Sequence, residues 1–238
     1  MRVWREVGGW EIEDIWRYWA PVTPEEEAGL RAAFAGGDDE GMARASALIL
    51  ARPHLVEAPT GRVRWSVPVD IITARNHMMI HVALPDGGYL TDVGFGGMTP
   101  TDPLKFEARI VQETPHEPFR LLRDGTDWLL QAEVAGTWSD VYRFDLTPQL
   151  PIDYEAGNYY LANSDNSFFT QGVIAARHAA GQRMALNNRS FTIYPAGKAP
   201  QRRMLKDAAE ICDTLEKEFG IRLPDRDALI ARIDAKKA

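Results

Sequence analysis

Large aliphatic side chains fall on every second position from Met78 through Ile80 and Val82 to Leu84, with His77, Met79, His81 and Ala83 on the other face. Extended backbone turns successive side chains to opposite sides, so this period of two marks a half-buried strand. Pro85-Asp-Gly-Gly88 is turn chemistry, since glycine supplies the positive φ that tight turns need. Tyr89 to Val93 resumes the β pattern, and Gly94-Phe-Gly-Gly97 ends it. Two strands joined by a short turn read as a hairpin. Strands are predicted at 61–66, 77–84, 89–94, 106–112, 118–123, 127–134 and 138–144, with turn signals such as Asp124-Gly125 and Ala135-Gly136 between them. An irregular passage is expected over 148–165, with a short helical piece near Asn158. Strands return at 172–177, 183–186 and 190–194, and a linker, Pro195 to Pro200, precedes two terminal helices.

Asp92 is the one acid on the strand that returns from the turn, and His77 and His81 lie opposite the aliphatic row. A carboxylate beside an imidazole fixes the ring tautomer and stabilises the imidazolium, which activates a nearby thiol or hydroxyl. In a simple four-residue hairpin Leu84 faces Tyr89, and Asp92 then falls opposite His81. A register shift or a bulge at the glycines brings His77 towards it instead. A His and an Asp satisfying each other in an ordinary sheet would show the same pattern. Metal binding is disfavoured: residues four apart on a strand lie roughly 13 Å from each other, too far to chelate one ion.

Ordered blocks run from Gly61 to Pro224, beginning with Gly61-Arg-Val-Arg-Trp65, Arg75-Asn-His-Met78, Thr91-Asp-Val-Gly-Phe-Gly-Gly97 and Thr114-Pro-His-Glu-Pro-Phe-Arg120. They continue with Tyr142-Arg-Phe-Asp-Leu146, Asn158-Tyr-Tyr160, Ser167-Phe-Phe169, Ile174-Ala-Ala-Arg177 and Phe219-Gly-Ile221. On these blocks the chain resembles the arylamine N-acetyltransferases. The resemblance implies an α+β fold: a helical first domain over 1–60, an antiparallel β-barrel over 61–150, and an α/β lid with C-terminal helices over 151–238. It implies a cysteine-proteinase-like relay that moves an acetyl group from acetyl-CoA, a co-substrate and not a permanently bound cofactor, to aromatic amines or hydrazines. Within it His77 is the catalytic imidazole and Asp92 its carboxylate. Gly94, Phe95, Gly96 and Gly97 are candidates for backbone contact with the acyl donor, and Ser167 and Phe169 for its cleft. No metal is implied.

The family's nucleophile is a cysteine in an Arg-Gly-Gly-x-Cys-Phe-Glu segment upstream of the Arg-Val-Arg-Trp block, and nothing here matches it. Counting back from His77 reaches Gly36-Gly-Asp-Asp-Glu40, where Asp38 or Asp39 would stand in the thiol's place. The chain holds one cysteine, Cys212. It repeats with Leu205, Ala208, Ile211, Leu215 and Phe219 at helical spacing, on an apolar face where free cysteine behaves as a small hydrophobe. A catalytic thiol needs an electropositive, accessible setting.

The first sixty residues read differently. Trp4, Trp10, Trp16 and Trp19 precede Thr23-Pro-Glu-Glu-Glu27, a good helix start with Thr23 as N-cap and Glu26 closing a capping box. Helices are predicted over 23–34 and 40–51. The chain is shorter than family members usually run, with the shortfall before Gly61. Its residues there do not match the family's first domain, and two explanations compete: a replaced or degenerate domain, or an altered reading frame or mis-assigned start. A net charge of -7 over 238 residues disfavours a general nucleic-acid or anionic-membrane surface. One cysteine excludes an internal disulfide framework, no apolar run approaches the ~20 residues of a membrane span, and the first residues lack a secretory signal's apolar core. The expectation is a cytoplasmic protein whose partners are acetyl-CoA and a small arylamine or hydrazine, with a homo-oligomer left open.

Overall fold

The structure is a computed structural model that describes residues 56–83 and 88–236. The two helices expected before residue 55, the tryptophan cluster, the Gly36–Glu40 segment and the turn at 84–87 lie outside the described residues. The described chain forms two compact units, 56–94 with 100–154, and 95–99 with 155–236.

The first unit is built from two antiparallel sheets. One has the order β1 (Val56–Glu57), β4 (Ile80–Val82), β5 (Tyr89–Thr91), β6 (Leu104–Lys105). The other runs β3 (Arg75–Met78), β2 (Thr60–Val63), β10 (Thr137–Phe144), β9 (Asp127–Val134), β8 (Phe119–Asp124), β7 (Val111–Gln112). A closed barrel is not seen: among the described strands no ladder joins the two ends of either sheet. The predicted strand over 77–84 divides at Met79, which is buried and whose N–H donates to Pro59 O at 3.2 Å. β3 thus enters one sheet and β4 the other. The predicted strand over 106–112 also divides, because Arg109 takes a positive φ of 69° and donates its N–H to Leu121 O.

Strict alternation holds where the sequence showed it. Phe119 and Leu121 on β8, and Trp128, Leu130 and Ala132 on β9, are buried while their neighbours are not. β10 breaks the rule. Its ladder with β9 shifts register between Asp140 and Tyr142, leaving Val141 as an extra residue, and the consecutive side chains of Val141 and Tyr142 are both fully buried. A bulge changes which face the following residues serve, so Tyr142 and Phe144 point inward. The Val141 carbonyl accepts from both Arg64 N and Trp65 N, at 2.8 and 3.1 Å. Inside the unit a run of aromatic contacts follows, with ring centroids 4.3 Å apart for His81 and Phe106, 6.4 Å for Phe106 and Phe144, and 5.8 Å for Phe144 and Tyr142.

The dividing line between units falls within α1 (Pro151–Asn163), where an irregular passage was expected. Pro151 opens this helix, a position where its missing N–H costs nothing, and the Asp153 carboxylate accepts from Leu150 N. A short helical piece was expected near Asn158, and the helix begins earlier, at Pro151.

The second unit carries a four-stranded antiparallel meander, β11 (Ile174–Ala179), β12 (Gln182–Asn187), β13 (Ser190–Pro195) and β14 (Gln201–Met204). β14 was read over because all four of its residues are exposed and show no apolar alternation. The unit also holds α2 (Phe168–Gln171), α3 (Ala208–Lys217) and α4 (Arg226–Ala235). Asp207 caps α3 by accepting from Glu210 N at 2.9 Å. Ile211 and Leu215 of α3, with Leu205 and Phe219, bury against Ala175, Met184, Leu186 and Phe191 of the sheet. Arg226 ties α4 to α3 through Asp213, Glu216 and Ala209 O. Among the described residues no helix is long and apolar enough to cross a membrane.

Candidate functional site

The hairpin of β4 and β5 is looser than a four-residue turn allows. Val82 pairs with Tyr89, His81 with Leu90 and Ile80 with Thr91, so Asp92 falls beyond the ladder. His81 therefore does not face Asp92; its ring lies against Phe106. His77 arrives by a different route. On the β2–β3 ladder Gly61 pairs with His77 and Arg62 with Arg75, leaving Asn76 as an extra residue. That bulge re-aims the side chain after it. His77 Nε2 and Asp92 Oδ2 are 2.6 Å apart, with side-chain exposures of 12% and 1%. A carboxylate can only accept, so Nε2 carries the proton and Nδ1 is the basic nitrogen.

Gly94 N donates to Asp92 Oδ1 at 2.8 Å, the His77 ring donates to Oδ2, and the Tyr142 hydroxyl lies beside the carboxylate. Burial and the neighbouring Asp92 carboxylate push the Tyr142 hydroxyl well above its ordinary range, so it keeps its proton. The Tyr142 ring also packs on His77, centroids 5.0 Å apart. Sequence reasoning missed Tyr142 as a site residue. Its place in a matched block was visible, but the bulge that turns it inward leaves no mark on periodicity. Tyr142→Phe is expected to cost about 1.5–3 kcal/mol in urea denaturation, the range for a hydrogen bond to a charged group; a loss within error would show that the hydroxyl does not serve Asp92.

Gly61 permits the approach of three strands. A Cβ built there would lie 2.8 Å from Met79 Cε, 3.1 Å from Arg143 O and 3.2 Å from Phe144 Cβ, and the backbone oxygen cannot give way as the methionine end can. Of the candidate turn, Gly94 uses its N–H on Asp92, and Gly96 takes φ +84° while its carbonyl accepts from Thr99 N. Gly94 belongs to the first unit, and Phe95, Gly96 and Gly97 to the second.

In the second unit Ser167 is buried and caps α2, accepting from Phe169 N and donating to Leu161 O at 2.7 Å. Its hydroxyl proton is thus committed to the fold. Phe169 is 62% exposed, so core packing is not its task. Cys212 is fully buried on α3, and desolvation raises its thiol above the ordinary value, only partly offset by Arg226. That is the setting of a structural cysteine. Among the described residues no three His, Cys, Asp or Glu side chains gather as metal ligands.

A family model described as N-acetyltransferase matches residues 54–228, nearly the whole described chain. The chain belongs to the arylamine N-acetyltransferase family. It is 39% identical over 173 residues to the arylamine N-acetyltransferase of Mycolicibacterium smegmatis, covering 71% of this chain and 62% of the relative. It is 37% identical over 171 residues to that of Escherichia coli (strain K12), covering 71% and 60%. The chain thus spans about three fifths of the length of these curated relatives. Among solved structures, Mycobacterium marinum arylamine N-acetyltransferase in complex with CoA superposes with a TM-score of 0.74 at 37% identity, covering 82% of this chain and 74% of the other. The Salmonella typhimurium structure superposes with a TM-score of 0.69 at 30% identity, covering 93% and 83%. These neighbours share the mixed helix and sheet content seen here.

Proposed function

We propose that this chain derives from enzymes that move an acetyl group from acetyl-CoA to aromatic amines or hydrazines, and that it keeps the imidazole and carboxylate of their relay without the thiol. The observation that carries this reading is the 2.6 Å contact of His77 with a carboxylate that is itself buried. In the complete relay, thiolate attacks the thioester carbonyl, the C–S bond to CoA breaks, and the amine then attacks the acetyl-enzyme. His77 serves there as the base for the thiol, oriented through Nε2 by Asp92. Gly94, Phe95, Gly96, Gly97, Ser167 and Phe169 contribute to the acyl-donor site, Ser167 through the cap it gives α2. Residues 1–60 stand for an atypical or degenerate first domain, 61–150 for a domain of two antiparallel sheets and 151–238 for the lid, and the protein works in the cytoplasm.

A second reading has its own support: the one cysteine is buried on α3 with its thiol raised in pKa. The chain is then a catalytically inactive paralogue that holds CoA, an aromatic ligand or an active partner. Incubation with acetyl-CoA, read by intact mass alongside CoA binding by calorimetry, separates the two. The expected result is CoA binding without a stable acetyl adduct. An adduct that His77→Ala abolishes would establish a nucleophile other than the missing cysteine and restore the enzyme reading.

A further inference from the structure

Arg75 lies two residues before His77, on the near side of the Asn76 bulge, and it reaches two separate strands. Its Nε donates to Thr60 O on β2 at 2.9 Å, and its Nη2 lies 2.7 Å from Asp145 Oδ1, just past the end of β10. The two side chains are 28% and 24% exposed, so water screens the pair only in part. Asp145 is held in turn by Thr147 N, which donates to the same oxygen at 2.8 Å. The Arg75 guanidinium first, and then the Thr147 contacts, hold the Asp145 carboxyl down to about 2 against the opposing effect of partial burial. Its contribution to stability is therefore present above the ordinary carboxylate value and is lost only as the pH falls towards 2.

A bulge is a local choice of register, and a one-residue slip turns every later side chain to the other face. Between Arg75 and His77 that choice decides whether the imidazole reaches Asp92. Gly61 fixes the far side of the bulge, since it pairs with both His77 and Phe144 and has no room for a side chain. We propose that Arg75 and Asp145 are positioning residues for the imidazole: their ion pair locks β3 against β2 and β10 so that the bulge at Asn76 presents His77 Nε2 to Asp92. The guanidinium fork is what the task needs, because one planar group must reach a carbonyl on one strand and a carboxylate on another. This rests on His77 and Asp92 being the retained relay pair, and it adds the device that aligns them.

The test reads the ring itself, without substrate. Long-range proton–nitrogen correlation spectra report which nitrogen of His77 is protonated, and comparison with His77→Gln picks its signals from those of the five histidines. In the native chain His77 is the Nε2–H tautomer. In Asp145→Asn, which keeps the shape and removes the charge, the ratio of Nε2–H to Nδ1–H is expected to fall by about tenfold, within the usual coupling of residues that share a backbone shift. Arg75→Lys keeps the charge without the fork and should lower the ratio less; Asp145→Glu should restore most of it. Unchanged His77 signals in folded Asp145→Asn and Arg75→Lys would overturn the proposal, and if one variant fails to fold the other decides. Failure of acetyl transfer leaves this readout untouched, so the two proposals fail separately.

Discussion

Asp92→Ala is expected to destabilise the fold by about 2–6 kcal/mol in urea denaturation, because two buried donors lose their acceptor and each unsatisfied buried donor costs about 1–3 kcal/mol. The side chain is 1% exposed and accepts hydrogen bonds from Gly94 N and the His77 ring, with the Tyr142 hydroxyl beside it. Alanine leaves those donors in a space without an acceptor. Asp92→Asn retains the shape and one acceptor oxygen but brings an amide donor to face one of those donors, so it should lose about half as much. A loss below about 1 kcal/mol, the ordinary mean for a point mutation, would mean that water replaces the carboxylate and that the site is not the closed arrangement described.

The second large effect concerns turnover. Acetylation of an arylamine by this chain should run about 10⁴- to 10⁶-fold slower than by the Mycolicibacterium smegmatis relative assayed beside it, the span seen when one member of a three-residue relay is removed. On the proposed reading, His77 with Asp92 takes a proton from an attacking amine, and with no relay thiol beside them no acetyl-enzyme forms and both substrates must meet at once. General-base assistance contributes typically 10² to 10⁴, short of the whole relay. Rates within tenfold of the relative's would show that another group attacks the thioester. Cys212 is a poor candidate, being fully buried with its thiol raised by desolvation.

The long, regularly alternating strands were readable because their burial pattern is local. β8, β9 and most of β10 lie close to where alternation placed them, and α3 follows from its apolar spacing and its Asp207 cap. The site was readable only as candidates. Periodicity left His77 and His81 equal partners for Asp92, and resemblance chose His77. The physical reasons lie in two single extra residues, Asn76 on β3 and Val141 on β10, each visible only as a register shift against a partner strand distant in sequence. Met79 hides in the same way: its N–H leaves the strand for Pro59 O, splitting one predicted strand between two sheets. The closed barrel implied by resemblance is not seen among the described strands. α1 was read short, as a helical piece near Asn158, because Pro148, Pro151 and Gly157 punctuate its first half.

Sealing the sole sulfhydryl inside α3 has a practical side. Thiol-directed dyes and spin labels will find no native target while the protein is folded, so a cysteine introduced at any chosen surface position becomes a unique chemical handle. Such a handle would be the direct way to follow residues 1–55 by spectroscopy, with no background from the rest of the molecule to subtract.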